Sequence, residues 1–331
     1  MLSPTRSIPG LVWAYYVDPA GGTANRLEPD GELPSFADGN GFLWLHLNLV
    51  DTRVSAFLDD FPGLSAEAHT ALTTHETHAA VTVDEQLAFG TLVDFQREFD
   101  AETRDIGWLH FALSDRFIIT SRLQPIRSID RVRTALEKNP AKCTNPMQLF
   151  EMLVAEFQRG LIKVVMEMTE ELNAIEDIVY DSELRDERRQ LASVRRVVVR
   201  LYRHLRTLLS LMRRAAASDE EDMPFGFDEV ARRLCARLES VDHDVHALQE
   251  RARLLHEEID SKLSSETNRH LYILSLMTAF LLPASLVTGF FGMNTTGLPF
   301  ADGLHGTLSA FGFIAFSVFL SWLVLRRAGI L

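Results

Sequence analysis

Residues 271–291 read LYILSLMTAFLLPASLVTGFF, a run of 21 side chains without a charge. As a helix, such a run is long enough to cross a hydrocarbon core of roughly 30 Å. A second uncharged run, residues 307–325, reads TLSAFGFIAFSVFLSWLVL. One such run alone would suit a buried core helix. Two in tandem, with a short loop between them, predict transmembrane helices, whose backbone groups are satisfied internally. Lys262 and Arg269 precede the first span, and Arg326 and Arg327 follow the second. The loop between them, residues 292–306, holds Asp302 and no Lys or Arg. The bias of basic residues towards the cytosol places both termini there and the loop outside.

Upstream of these spans the chain is charged and mixed. The full sequence carries 46 acidic and 33 basic side chains, for a net charge of -13. This balance argues against nucleic acid as a partner, since phosphate contacts need clustered Lys and Arg. The two cysteines, Cys143 and Cys235, suggest neither a disulfide framework nor a thiolate metal site. The first residues, MLSPTRSIPGLVW, hold no apolar core of signal-peptide length. The N-terminal bulk is therefore expected in a reducing cytosol.

Short β-branched and aromatic runs separated by Gly, Pro and Asp predict strands at 11–17, 42–49, 79–83, 87–95, 107–113 and 116–120, with helices at 55–61 and 65–74. This is an α+β cytosolic domain, a mixed sheet with helices, over residues 1–144. Residues 145–268 predict a stalk of long helices. Phe150, Leu153, Phe157, Leu161, Val164, Met168, Leu172, Ile175 and Val179 recur at steps of three and four, and Leu184, Leu191, Val194, Leu201, Leu205 and Leu208 continue the pattern on a second helix. A third helix starts near Asp228 and meets no Gly or Pro until Pro283. Residues 269–331 form the transmembrane domain.

On the first span, Asn268, Leu271, Ser275, Thr278, Leu282, Ser285, Gly289 and Gly292 are separated by alternating steps of three and four. This is a seam of period 3.5, the geometry of helices gathered about a shared axis. Its small and hydroxyl side chains suit close helix packing or a wet path. Continued backwards, the seam meets Ser264, Ser261, Glu257 and Glu250, which makes a wet, acidic cytosolic funnel. The opposite phase, Val241, Val245, Leu248, Ala252, Leu255 and Ile259, is apolar. Bulky Ile273, Phe280 and Val287 occupy another phase, suited to lipid or the second span. Two spans cannot enclose a path, so the reading requires a homo-oligomer with a cyclic axis.

The string Pro283-Ala-Ser-Leu-Val-Thr-Gly-Phe-Phe-Gly292-Met293-Asn294, then a short loop and a last span, resembles the CorA superfamily of metal-ion transporters, whose signature is a Gly-Met-Asn triplet closing the first of two C-terminal helices. The resemblance implies a funnel-shaped homopentamer in the bacterial inner membrane, with the first span lining the pore and the second facing lipid. Magnesium-transporting members commonly carry an acidic residue after a Met-Pro pair in the loop. Leu298, Pro299 and Phe300 stand at the matching positions, and Thr295-Thr296-Gly297-Leu298-Pro299 is similar to the loop of the ZntB-like zinc branch. The resemblance thus favours zinc, with uptake coupled to protons. It also implies that Arg326 and Arg327 ring the inner mouth. A Mg2+ or Co2+ channel of the same superfamily stays open as the alternative; in another class, so does a membrane-anchored metal sensor or scaffold.

In this pathway Asn294 would receive the hydrated ion with carbonyl oxygens, Gly292 would bring helices close, and Ser285 and Thr278 would supply hydroxyl rings. Met293 completes the triplet, and Leu282, Leu274 and Leu271 are candidate dewetting constrictions. No G-x-x-x-x-G-K-[ST] string occurs, so no nucleotide is expected to drive transport. No catalytic constellation stands out, so enzymatic function is not expected. No cofactor is expected beyond the transported divalent cation. Asp242, His243, Asp244 and His246 are a candidate regulatory metal site, as are His75 and His78 around Glu76; solvated surface histidines are the commoner reading of both.

Overall fold

The computed structural model describes residues 8–29, 33–34, 41–84, 87–98, 103–181, 186–217, 226–293 and 303–329. By compactness the chain forms two units, Met1–Leu255 and His256–Leu331.

The first unit is built on a seven-stranded sheet. Its strands are β1 (Leu11–Asp18), β2 (Thr23–Arg26), β3 (Phe42–Asn48), β4 (Ala80–Asp84), β5 (Leu87–Phe95), β6 (Ile106–Leu113) and β7 (Phe117–Arg122). They lie in the order β2-β1-β3-β7-β6-β5-β4. β3 and β7 pair in parallel, and every other neighbouring pair is antiparallel. Every residue of β5, LAFGTLVDF, is buried, the pattern of a strand covered on both faces.

One face packs on α1 (Arg53–Asp59) and α2 (Ala66–Thr73): Leu43, Leu45, Leu47, Phe117 and Ile119 share a core with Val54, Leu58 and Leu72. Ser65 caps α2 by accepting the Ala68 N–H at 3.2 Å. The other face packs on α3 (Arg127–Lys138) and α4 (Pro146–Asp181). There Phe95 stacks on Phe157 and Phe111 packs tilted against Phe150, with ring centroids 5.6 and 4.9 Å apart. Gly160 permits the approach, since a Cβ at that position would sit 3.2 Å from the Phe95 ring.

β2 and α3 lie outside the elements expected from sequence. TANR has no apolar alternation, and α3 shows only Ile129, Val132 and Leu136 among many charges. The start of α3 is held from outside its own chain segment. Asp94, at the end of β5, accepts the Ser128 N–H at 3.1 Å and the Ser128 hydroxyl at 2.8 Å. A helix boundary fixed by a distant strand leaves little local signal.

α4, α5 (Glu187–Ala216) and the first half of α6 (Phe227–Phe291) pack together through the expected stripes. All nine apolar positions from Phe150 to Val179, the five from Leu191 to Leu208, and the six from Val241 to Ile259 are buried, while Leu184 lies outside the described residues. Each fully buried Leu or Phe contributes about 1.5–3 kcal/mol relative to exposure. Polar contacts flank the apolar seams: Arg251 to Glu176 at 2.6 Å, Arg233 to Glu151 at 2.9 Å, Arg206 to Asp242 at 3.3 Å and Arg213 to Glu239 at 2.7 Å. The Arg run of α5 thus includes residues that pair across helices.

Burial pushes the Asp94 carboxyl up to about 7, against the hydrogen bonds from Ser128 and Phe95 that favour its ionised form. The folded chain therefore holds a proton that the unfolded chain, with a carboxylate at the ordinary 3.8, releases at mildly acidic pH. The associated stability is full below pH 3.8 and is lost as pH rises through about 7. Asp94→Asn removes this titration. Melting of the detergent-solubilised chain between pH 5 and pH 8 should show the wild type losing stability relative to Asp94→Asn as pH rises; a constant difference would refute the assignment.

Candidate ion pathway

The second unit contains the end of α6 and α7 (Gly303–Arg327). Among the described residues, α6 and the stretch Gly306–Arg327 are the two helices with a window long and apolar enough to cross a membrane, and neither window is buried within the chain. The first expected span, residues 271–291, lies wholly inside α6, which is continuous over 65 residues through Pro283. Proline has no N–H, so Pro283 leaves the Ala279 carbonyl without its usual helical donor.

α6 and α7 meet through a defined face. Ala279, Phe280, Pro283, Ala284, Val287 and Phe291 are half-buried on α6, as are Ile314, Ser317, Val318 and Ser321 on α7. Phe291 lies 6.0 Å from Phe313, between ring centroids. Of the bulky phase, Phe280 and Val287 fall on this face, while Ile273 is exposed.

The polar seam lies elsewhere on the helix. Asn268, Leu271, Ser275, Thr278, Leu282, Ser285, Gly289 and Gly292 are all exposed, as are Leu274 and Met293. A Cβ built on Gly289 would meet nothing within 4 Å. A glycine inside a helix costs about 1 kcal/mol relative to alanine, and nothing within this chain requires one there. The Thr278 hydroxyl donates to the Leu274 carbonyl at 2.8 Å. Its oxygen is left with acceptor lone pairs, which suit the water of a hydrated cation. Asn294, with the rest of the expected outer loop up to residue 302, lies outside the described residues.

Further back on α6, Ser264, Ser261 and Glu257 are exposed, and half-buried Glu250 accepts from Arg253 at 3.0 Å. At the other end of α7, the Arg326 guanidinium lies 5.1 Å from the centre of the Trp322 ring, and Arg327 is exposed. An arginine over an indole at a span end is a common way to hold a helix at the membrane–water boundary.

The four candidate metal ligands on α6 are not gathered. Asp242 turns to Arg206, His246 stacks on Tyr202 with ring centroids 5.6 Å apart, and His243 and Asp244 are exposed. Positions 242 and 246 share a face at i, i+4, and α5 side chains engage both. His78 lies 3.4 Å from Glu76, and His75 is exposed. Among the described residues no group of three or more His, Cys, Asp or Glu side chains is placed to hold a metal ion. Titration of Zn2+ into the full chain should give the same isotherm for wild type and His243→Ala; a site lost on substitution would contradict this placement.

Comparison with known proteins agrees with the architecture. The chain is 28% identical to the divalent cation transporter CmaX of Pseudomonas aeruginosa, over 96% of each sequence. It is 27% identical to the zinc transport protein ZntB of Yersinia enterocolitica, over 96% of this chain and 93% of that one. In fold it matches the full-length CmaX structure with a TM-score of 0.79 at 24% identity, covering 97% of this chain and 98% of the other. It matches the CorA magnesium transporter of Methanocaldococcus jannaschii with a TM-score of 0.71 at 18% identity, covering 97% and 99%. Residues 39–327 match the family model described as CorA-like Mg2+ transporter protein, and on that match, which runs from β3 to the end of α7, the chain belongs to this family.

Proposed function

We propose that the chain is one protomer of a homopentameric divalent-cation transporter of the bacterial inner membrane, with both termini in the cytosol, and that its ion is Zn2+. Copies of α6 line an axial pore with the seam from Asn268 to Gly292, and Gly292-Met293-Asn294 forms the outer mouth. The observation that carries the reading is the separation of phases on α6: α7 covers one face, and the small and hydroxyl seam with its unneeded Gly289 is left for neighbours and water.

In this arrangement Asn294 exchanges part of the ion's water for neutral carbonyl oxygens, without a deep charge trap. Ser285 and Thr278 then offer acceptor oxygens, and Leu282, Leu274 and Leu271 narrow the path at apolar rings. Ser264, Ser261, Glu257 and Glu250 line the cytosolic exit, and Arg326 and Arg327 raise a positive barrier at the inner mouth. The membrane potential supplies the drive, about 2.3 kcal/mol per charge per 100 mV, hence about twice that for a divalent ion entering a negative interior. Neither span, 271–291 or 307–325, contains an Asp, Glu, His, Lys or Arg, so a coupled proton travels with hydrated metal or through groups at the span ends.

The zinc assignment rests on the loop Thr295–Thr296–Gly297–Leu298–Pro299, which lacks the acidic residue, and on the likeness to ZntB. The family's magnesium description supports the second reading, a Mg2+ or Co2+ channel. Vesicle uptake separates the two. Zn2+ entry faster than Mg2+ entry, and stimulated by an inward proton gradient, is expected; Mg2+ preference without gradient dependence would assign the channel. Asn294→Ala should reduce uptake of either ion to the level of empty vesicles while the oligomer survives detergent extraction, and normal uptake would remove Asn294 from the path.

Gly289 gives a second handle. Leucine favours a helix over glycine by about 1 kcal/mol, so Gly289→Leu should leave the isolated protomer folded. It should nevertheless block uptake or disperse the oligomer, read by flux and by light scattering. Unchanged flux and mass would place Gly289 against lipid.

A further inference from the structure

β3 and β7 are parallel neighbours whose chains leave in opposite directions. β3 leads to α1, whose Val54 and Leu58 pack on the face bearing Leu43, Leu45 and Leu47. β7 leads to α3 on the other face, where Arg133 lies over Trp13 and Tyr15 bonds Glu137. When adjacent parallel strands diverge to opposite faces, a crevice opens beyond their carboxyl ends, the usual place for a ligand in an open α/β sheet. Here an open groove of about 600 Å³ occupies that position, lined by residues 10–12, by Asn48 at the end of β3, by Val50 and Asp51 just after it, and by Arg122 at the end of β7. This volume lies within the range of small-molecule sites.

Arg122 is fixed from behind by a buried network. Its Nε donates to His46 Nε2 at 3.0 Å. Arginine only donates, so His46 carries its proton on Nδ1 and donates to Thr120 Oγ1 at 2.9 Å. Thr120 donates onward to the Leu45 carbonyl at 3.0 Å and accepts from Trp44 Nε1 at 3.2 Å. Burial, with Arg122 adding to it, holds His46 neutral by pushing its pKa well below the ordinary value. Trp13 stacks on the imidazole, with ring centroids 4.4 Å apart.

The front of the guanidinium is unused. Among the described residues, neither Nη nitrogen of Arg122 makes a hydrogen bond, and no carboxylate lies within 4 Å of it. The surroundings are electropositive. Arg97 pairs with Asp130, Arg133 reaches Asp130 at 3.9 Å and Glu137 at 2.9 Å, and Arg122 stands near both Asp130 and Arg97 without pairing. Three guanidiniums therefore share two carboxylates. Asp51, the acid in the groove, is already held by Arg53 through contacts of 2.9 and 2.7 Å and by the Gly10 N–H at 3.0 Å. On a chain of net charge -13, a rigid arginine with a free donor pair in a groove is a local inversion of sign. Two parallel N–H groups of a guanidinium match the oxygens of a phosphate.

We propose that this crevice binds a soluble, phosphate-bearing small molecule, with the Arg122 Nη pair as its principal contact. The site is separate from the ion path and does not depend on which cation is carried.

The test is calorimetric titration of the full chain, in lipid-free detergent at constant ionic strength, with inorganic phosphate and with pyrophosphate. Saturable binding is expected, weakened at least about tenfold by Arg122→Gln, which removes the charged fork. Because Arg122 supports His46, a second variant guards against misfolding. Val50, 69% exposed at the rim, tolerates Val50→Glu without touching the core, and its added negative charge should weaken binding by a similar factor. Absence of saturable binding to the wild type would overturn the proposal. So would binding that survives both variants or is lost only in Arg122→Gln, and so would binding that appears only when anionic phospholipid is added to the micelles.

Discussion

In hydrocarbon a peptide N–H or C=O without a partner costs several kcal/mol, so a chain can leave water only as an unbroken helix or a closed barrel. α6 meets this demand by beginning its hydrogen-bond ladder far upstream, among buried Val241, Val245 and Leu248, and carrying it through residues 271–291. One helix therefore answers to two solvents. Its upstream half shows a single apolar stripe against α4 and α5; its downstream half is apolar on nearly every side, and only the small and hydroxyl seam departs from that. Pro283 interrupts the ladder by one donor within the second half without ending the helix.

The sheet follows another economy. β5 is buried along its whole length because helices cover both sides of it. That double cover forces polar groups in the interior to find partners there. Asp94 does so by capping α3, and Thr120, His46 and Trp44 by forming a chain that ends at Arg122. Such networks fix geometry as well as satisfy donors, because each member has one consistent arrangement.

The parts of this fold legible in the sequence are those where a period repeats for long enough. The stripes of α4 and α5 and the two uncharged runs needed only counting, and six of the strands announced themselves by β-branched and aromatic residues between turn formers. β2 and α3 did not. The first is four residues with little burial, and the second starts where Asp94, over thirty positions earlier, caps it. The seam on α6 was legible as a spacing, and the bulky phase as one suited to lipid or the second span; the half-burial of Phe280 and Val287, with Ile273 exposed, divides that phase between the two. Asp242, His243, Asp244 and His246 were legible as a run of donors, but the engagement of Asp242 by Arg206 and of His246 by Tyr202 depends on α5 and had no local signal. Arg122 carried no motif; its only signal was a polar residue at every second position of two apolar strands, Trp44-x-His46 and Thr120-x-Arg122, which by alternation share one face.

The charged contacts along α6 have a consequence beyond their small individual worth, which for exposed pairs is about 0.2–1 kcal/mol each. Apolar stripes of similar residues tolerate a slip of one helical turn, about 5.4 Å, because the ridges re-engage. Arg233 with Glu151, Arg251 with Glu176, Arg206 with Asp242 and the Gln158 amide on the Arg237 carbonyl at 3.0 Å would all be mismatched together by such a slip. They act as a vernier, setting the axial register of the long helix against α4 and α5. Sliding α6 along α4 and α5 therefore costs all of these contacts at once, whereas they do not oppose tilting in the same way.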